Sequence, residues 1–394
     1  MSDQPRQIVW GGPWEWVEEA LQNLDRSQLR RVRKLRQSAQ TPAAIRWDDR
    51  QLVNFSSNDY LGLASDPRLA EAAAAACQQR GWGSGASPAI SGRGELHAAL
   101  ESALAEFEGV ASALLFPSGY AANIGAVTAL AGRGDVIFSD AKNHASIIDG
   151  CRLSRADVRV YPHRDVETLS SWLAQPRNGR TLIVTDSLFS MDGCLAPLAE
   201  IYQLAEQHGA MLLVDEAHAT GVLGDGGRGG CEALGLESAP ILRVGTLSKA
   251  LGSSGGFVAG DARLIDWLFN QARPQFFSTA MPEPVAAASL AALRIVQQEP
   301  WRRHDALRRA GRLRAGLTRQ GWTTDDEPTQ IIPVRVGQPA RALQLAQQLL
   351  ERGFLVPPIR PPSVPHNESL LRISVSSAHT DAHIDGLLAA LGSV

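Results

Sequence analysis

Three short apolar runs each end in a polar turn rich in reactive side chains, and that repetition narrows the possible folds sharply. Residues 181–185 (Thr-Leu-Ile-Val-Thr) lead into Asp186 and Ser187. Residues 211–214 (Met-Leu-Leu-Val) lead into Asp215, Glu216, Ala217 and His218, and residues 241–245 (Ile-Leu-Arg-Val-Gly) into Thr246 and Lys249. Runs of this length and composition predict strands, and the stretch 197–207 between the first two predicts a helix. Strand, helix, strand is a βαβ unit, which implies an α/β fold with a mostly parallel sheet covered by helices on both faces. Further strands are expected at 114–116, 136–138 and 256–259. Asp66-Pro67 predicts a helix start, with a capping carboxylate followed by proline at the first helical position.

The first fifty residues suggest one or two amphipathic helices with Trp14, Trp16, Val17, Ala20 and Leu21 on one side, and the Arg-dense stretch 26–36 suggests a solvated helix face. Beyond Pro282 the pattern changes to helices around strands at 331–336 and 371–375. The chain is therefore expected to comprise an N-terminal helical segment (1–53), a large ligand-binding domain (54–281) and a small α+β C-terminal domain (282–394). Trp14, Trp82, Trp172, Trp267 and Trp322 are expected in a core or an interface.

Composition removes several function classes. With 394 residues, 44% of them hydrophobic, the chain is long enough for one large core and a smaller one. A net charge of −3 leaves no basic footprint for nucleic acid and no polybasic membrane patch. The four cysteines lie far apart with no C-x-x-C pair, so neither a zinc site nor a disulfide framework is indicated. No run approaches a membrane span and the first residues lack a signal pattern, so a cytoplasmic protein is expected. Asp215-Glu216-Ala217-His218 spells the acidic box of ATP-driven helicases, but none of the lysines follows a glycine, as a phosphate-gripping G-x-x-x-x-G-K-[ST] loop requires. Residues 224–229 match G-x-G-x-x-G without a preceding strand, and a glycine-rich loop over the site accounts for them better than a dinucleotide fingerprint. A metal held by Asp215, His218 and His144 would leave Lys249 unexplained, so none is expected.

The lysines sharpen the functional reading. There are three, Lys34, Lys142 and Lys249, against thirty-five arginines. Where positive charge alone serves, this chain uses arginine, so a retained lysine points to what an amine does and a guanidinium cannot, above all Schiff-base chemistry. Ligands of parallel α/β sheets bind beyond the carboxyl ends of the strands. That edge would collect Lys249, Asp215, His218, Ser187, Thr246, the His144 that follows strand 136–138, and the turn 117–123 whose free N–H groups suit a phosphate. Pyridoxal 5′-phosphate needs such a set: an amine for its aldehyde, N–H donors for its phosphate and a carboxylate that keeps its ring nitrogen protonated.

The motifs at 54–62 (Asn-Phe-Ser-Ser-Asn-Asp-Tyr-Leu-Gly), Gly83-Ser-Gly85, Ser190-Met-Asp-Gly193, 214–221 (Val-Asp-Glu-Ala-His-Ala-Thr-Gly) and Thr246 to Lys249 resemble the α-oxoamine synthase family of fold-type I pyridoxal-phosphate enzymes. The resemblance runs from the Arg33 region almost to the C-terminus. It implies Lys249 as the Schiff-base lysine, Asp215 as partner of the ring nitrogen and His144 stacked on the ring. It also implies Ser187 and His218 at the phenolic oxygen and Gly119, Tyr120 and Thr246 at the phosphate. Family sites form between two subunits, so a homodimer is implied, with Ser278 and Thr279 reaching the neighbouring site. Ser248 departs from the family, where a glycine commonly precedes the lysine.

Members condense an acyl thioester with an amino acid and expel carbon dioxide. Residues 359–365 (Ile-Arg-Pro-Pro-Ser-Val-Pro) and Arg33-Lys-Leu-Arg36 are similar to members that join L-alanine to a pimeloyl thioester, carried by coenzyme A or an acyl carrier protein. A member that acetylates glycine is the alternative. On this resemblance Arg33 contacts the acyl end and Ser363 stands where threonine is usual. Arg372 clamps the amino acid's carboxylate through its planar fork, with Arg360 as the alternative.

Overall fold

In the computed structural model, which describes residues 12–27 and 29–392, the three apolar runs lie side by side. They belong to a seven-stranded sheet: β1 (Ser112–Phe116), β2 (Val136–Asp140), β3 (Asp157–Tyr161), β4 (Thr181–Asp186), β5 (Met211–Asp215), β6 (Leu242–Thr246) and β7 (Gly256–Gly260). The spatial order is β1-β7-β6-β5-β4-β2-β3. β7 runs antiparallel to both neighbours, whereas β4, β5 and β6 and the pairs around β2 are parallel. The reason is connection length. β6 and β7 are joined by residues 247–255, too few for a crossover helix, so β7 must turn back.

Alternation within each strand assigns side chains to opposite faces. Leu182, Val184, Leu213 and Val244 pack with the helices Gly119–Leu130, Ala145–Ser154 and Ala262–Gln271 on one side. Ile183, Leu212 and Val214 meet Leu169, Leu198 and Ile201 on the other, from helices Val166–Leu173 and Leu198–Gln207. Helix Pro67–Arg80 starts as expected, Asp66 accepting from the Arg68 N–H at 3.1 Å.

The C-terminal third has its own apolar core, in which Ile332, Leu371 and Ile373 pack against Leu313, Leu317, Leu345 and Ile384. Its antiparallel sheet is Ile331–Gly337, Ser369–Ser374 and Pro358–Ile359, the middle strand ending one residue before the expected Val375.

The N-terminal expectations need correction. Among the described residues one α-helix, Glu15–Arg26, forms there, within the expectation, but Trp14 at its N-cap and Trp16 in its first turn stand exposed. Residues 44–54 form a hairpin, Ala44–Trp47 with Arg50–Asn54, extended by Phe354–Leu355 of the C-terminal part, and Phe55 enters that part's core. The described residues 29–36 of the Arg-rich stretch are not helical; Arg30 pairs with Asp25 of the preceding helix and Lys34 with Asp48 in the turn of the hairpin. Trp172 and Trp322 pack against cores, whereas Trp82 and Trp267 are exposed. Among the described residues no helix is long and apolar enough to cross a membrane.

Candidate active site

The carboxyl ends of β2, β4, β5 and β6 and the turn after β1 converge on one cleft edge. β5 ends in Asp215, buried in a strand whose own backbone groups are spent on the sheet. One carboxylate oxygen accepts from the Ala217 N–H at 2.8 Å and the other from Asn123 Nδ2 at 2.6 Å. Asn123 lies one turn inside helix Gly119–Leu130 and also donates to Ser146 Oγ at 2.9 Å, so three elements fix the aspartate.

Lys249 follows β6 and is half-buried. Burial brings its pKa down to about 8, against the pull of the Asp215 and Asp186 carboxylates, and the Arg372 guanidinium lowers it further. His144 caps helix Ala145–Ser154, its Nδ1 bonded to Ser146 Oγ at 2.7 Å. Burial lowers its pKa despite Asp215, and Lys249 adds to the lowering. The backbone beneath it is clamped reciprocally: the His144 N–H donates to Asp186 Oδ2 at 2.9 Å and the Asp186 N–H to Asn143 Oδ1 at 3.2 Å. Asn143 Nδ2 also donates to Ser139 Oγ and the Val184 carbonyl. The Asp186 carboxyl is raised well above the usual carboxylate range by burial and by neighbouring Asp215.

His218 lies buried three residues past Asp215, with Nδ1 2.7 Å from Tyr60 Oη. Burial, then Lys249 and Arg372, hold it well below its ordinary pKa, so its imidazole is neutral. Tyr60 accepts in turn from Arg372 Nη2 at 3.2 Å. Arg372 is 6% exposed, and among the described residues every hydrogen-bond partner of its guanidinium is neutral: Asn58 Oδ1, Tyr60 Oη, Ser374 Oγ and the Ser190 carbonyl. A buried guanidinium with no carboxylate against it is costly unless an anion arrives from outside the chain.

The turn after β1 is a helix N-terminus. Ser118 takes the Ala121 and Ala122 amides, leaving those of Gly119 and Tyr120 ahead of the first turn. A Cβ on Gly119 would come within 3.2 Å of Thr246, so glycine is what lets this turn lie against β6. Thr246 Oγ1 donates to the Gly255 carbonyl at 2.9 Å and lies 2.7 Å from the Ser248 hydroxyl. Ser248, where the family commonly has glycine, keeps a backbone φ outside the left-handed region, so serine fits without strain.

Not every expected residue joins this group. Ser187 is buried and gives its hydroxyl to Glu216 Oε2 at 2.5 Å, behind the sheet edge. Its neighbour in the same turn, half-buried Ser190, instead presents its carbonyl to Arg372. Thr279, Ser363 and Arg33 are exposed in the single chain, and Arg360 is half-buried near Arg31. Tyr120 is exposed and bonds Asp149 through its hydroxyl, leaving only its amide to the turn. The glycine-rich 224–229 loop is no phosphate cradle, because the Gly226 and Arg228 amides are already bonded to Glu232. Tyr60, Asn123, Asn143 and Asp186 are given no role by the sequence alone, although it places Asp186 in the turn after a strand, Asn123 at the end of the 117–123 turn and Asn58 and Tyr60 inside the 54–62 motif.

An amine, a carboxylate, an imidazole and a phosphate-ready helix terminus at the carboxyl edge of a parallel sheet define a cofactor-dependent transferase site. The chain belongs to the class I and II aminotransferase family, whose model matches residues 50–391. It is 51% identical to the 8-amino-7-oxononanoate synthase of Anaeromyxobacter dehalogenans, over 97% of this chain and 96% of that protein. Among solved structures it is similar to a serine palmitoyltransferase from S. paucimobilis with bound pyridoxal phosphate and myriocin, at TM-score 0.91 and 31% identity, covering 96% of each chain. The 8-amino-7-oxononanoate synthase of Francisella tularensis superposes with TM-score 0.77 and 26% identity, over 87% of this chain and 97% of that one.

Proposed function

We propose that this protein is a pyridoxal 5′-phosphate-dependent acyltransferase that condenses L-alanine with a pimeloyl thioester, releasing the free thiol, carbon dioxide and 8-amino-7-oxononanoate, a step of biotin biosynthesis. The observation that carries the reading is Arg372, a buried cation with only neutral hydrogen-bond partners among the described residues, close enough to Lys249 to help bring that amine's pKa to about 8. An α-amino acid brings the carboxylate that the arginine lacks.

The donor set fits the cofactor. Lys249 would hold it, the Gly119 and Tyr120 amides with Thr246 and Ser248 would take its phosphate, and Asp215 would keep its ring nitrogen protonated. His144 would lie against the ring, and neutral His218 would donate to its phenolic oxygen from Nε2 if Tyr60 donates to Nδ1. When bound, pyridoxal phosphate supplies an electrophilic carbon and an electron sink for a developing carbanion. Arg372 binds the alanine carboxylate and so orients the bond to be broken. Lys249, with its amine free, would take the proton from the alanine α-carbon, a task matched to a pKa near working pH. His144, its imidazole neutral, donates a hydrogen bond to the thioester carbonyl under attack. Loss of the carboxylate then removes the charge that Arg372 neutralised, favouring product release.

The finer assignments belong to the same proposal. Arg33, Ser363 and Arg360 would line the path of the acyl group. The protein would work in the cytoplasm as a homodimer, with exposed Thr279 completing the neighbouring site. Support for association comes from Ile90 and Phe277, 81% and 74% exposed on adjoining segments, a large apolar surface for a lone chain.

The deciding experiment is carbon dioxide release with alanine, glycine and serine, each paired with pimeloyl, acetyl and succinyl thioesters. Turnover is expected with alanine and the pimeloyl thioester; preference for glycine and acetyl would overturn the reading. Borohydride treatment of the holoenzyme should fix the cofactor on Lys249 and on no other lysine.

A further inference from the structure

A cavity of about 440 Å³ adjoins the site on the side away from Lys249's strand. Two of its lining residues, Asn143 and Met191, directly neighbour site residues. Asn143 precedes His144, and Met191 follows Ser190, whose carbonyl Arg372 contacts. The cavity thus begins where an amino acid held on Arg372 would meet an incoming acyl group. Its walls are mainly apolar, from Ile148, Pro362 and Val364, which suits a chain of methylenes.

One feature breaks that apolar lining. Lys142 enters the cavity and donates to Asp192 Oδ2 at 2.6 Å, while Arg335 Nη1 lies 3.6 Å from Asp192 Oδ1. Asp192 is buried and its one charge is divided between Lys142 and Arg335, the latter also facing Asp325, so Lys142 is only partly neutralised. Lys142 has three N–H donors and gives one to Asp192. His163, also on the lining, is turned to Asp140 and Cys194. An apolar channel ending in an excess positive charge matches an acyl chain that carries a second carboxylate at its far end.

We infer that Lys142 recognises the free distal carboxylate of the acyl substrate and so selects a dicarboxylic acyl group over a simple fatty one. Asp192 holds the ammonium in place, and the strand end that carries Lys142 also carries His144, which ties the length of the acyl chain to the reacting carbon. The assignment rests on the proposed condensation and differs from the sequence-based expectation that Arg33 meets the acyl end.

The test compares a pimeloyl thioester with a heptanoyl thioester, which has the same chain and no distal carboxylate, in the wild-type holoenzyme and in Lys142→Met, Lys142→Arg and Arg33→Met. The wild type should favour the pimeloyl substrate in kcat/KM, and Lys142→Met should lower that ratio tenfold or more, the scale of one charged hydrogen bond. Lys142→Arg, which keeps the charge, should retain most of the preference. An unchanged ratio in Lys142→Met, or a loss confined to Arg33→Met, would overturn the inference. Calorimetric binding of free heptanedioate, against heptanoate, gives a readout that needs no turnover. If no pimeloyl condensation occurs, the proposed function fails, yet binding of heptanedioate weakened by Lys142→Met would still establish the contact. Equal binding to both proteins would refute it.

Discussion

Arg372 holds the most consequential position in the molecule, since it is a buried cation with neutral hydrogen-bond partners close enough to Lys249 to lower that amine's pKa, where a substrate carboxylate would offset its cost of burial. It donates to four neutral oxygens, which orient the fork and satisfy its N–H groups without neutralising it. Arg372→Ala should therefore raise KM for alanine by about tenfold to a hundredfold, with a much smaller change for the thioester. Equal effects on both substrates, measured by steady-state kinetics, would refute the assignment. Lys249 leads to a second prediction. Its neutral form is the nucleophile, and with a pKa of about 8 that form grows as pH rises from 7 to 9. The rate at which the apoprotein takes up pyridoxal phosphate, monitored by the visible absorbance, should climb through that range and level off above it; a rate still climbing steeply beyond pH 9 would show an ordinary surface amine. Residue type alone does not reveal direction, as Ser187 illustrates: it has the right chemistry and the right turn, but its hydroxyl is committed to Glu216.

Strand ends position the catalytic groups by ordinary sheet geometry. β5 and β6 are neighbours in register, with Asp215 paired to Val244, so the aspartate and the lysine that follows Thr246 emerge side by side. The turn after β2 is less constrained by pairing and is held by side chains, Asn143 and Asp186. Asp186→Ala would strip the His144 N–H of its acceptor, at a cost of about 1–3 kcal/mol for an unpaired donor. It should lower kcat about tenfold or more, whereas Asp186→Asn, which still offers an oxygen, should lose much less. Identical losses in the two variants would mean that charge, and not the hydrogen bond to His144, is what Asp186 contributes.

At the scale of the whole molecule, the hairpin 44–54 and the C-terminal core are joined through His379. Its ring stacks on Phe55 at 4.1 Å and bridges the Ser376 N–H to the Asn54 carbonyl. Burial lowers its pKa to about 4, from an ordinary 6.5. Between those values the unfolded chain binds a proton that the folded chain refuses, so this group's contribution weakens as pH falls from about 6.5 towards 4. Other groups shift the opposite way, Asp59 being raised to about 6 by burial. The clean test is a difference: the Tm advantage of the wild type over His379→Gln should narrow between pH 7 and pH 5. A constant gap would show that the histidine stays protonatable in the fold.

Much of the central sheet was legible beforehand because buried parallel strands must be continuous apolar runs, and their polar C-terminal turns are visible as breaks in that pattern. The runs at 181–185, 211–214 and 241–245 thus announced β4, β5 and β6, and with them Asp215, His218 and Lys249. The pairing of β7 with β1 and of the hairpin at 44–54 with Phe354–Leu355 was not legible, because those partners lie far away along the chain. Nor could local pattern show that Asn123 braces Asp215, that Asn143 and Asp186 clamp His144, or that Arg372 lacks a carboxylate. Local sequence determined which side chains stand at strand ends, since period and composition are properties of neighbours along the chain. Which of those side chains face one another, and which charge is left without its counterpart, was decided by tertiary packing, because hydrogen bonds and desolvation act between residues brought together from 42 to 314 positions apart.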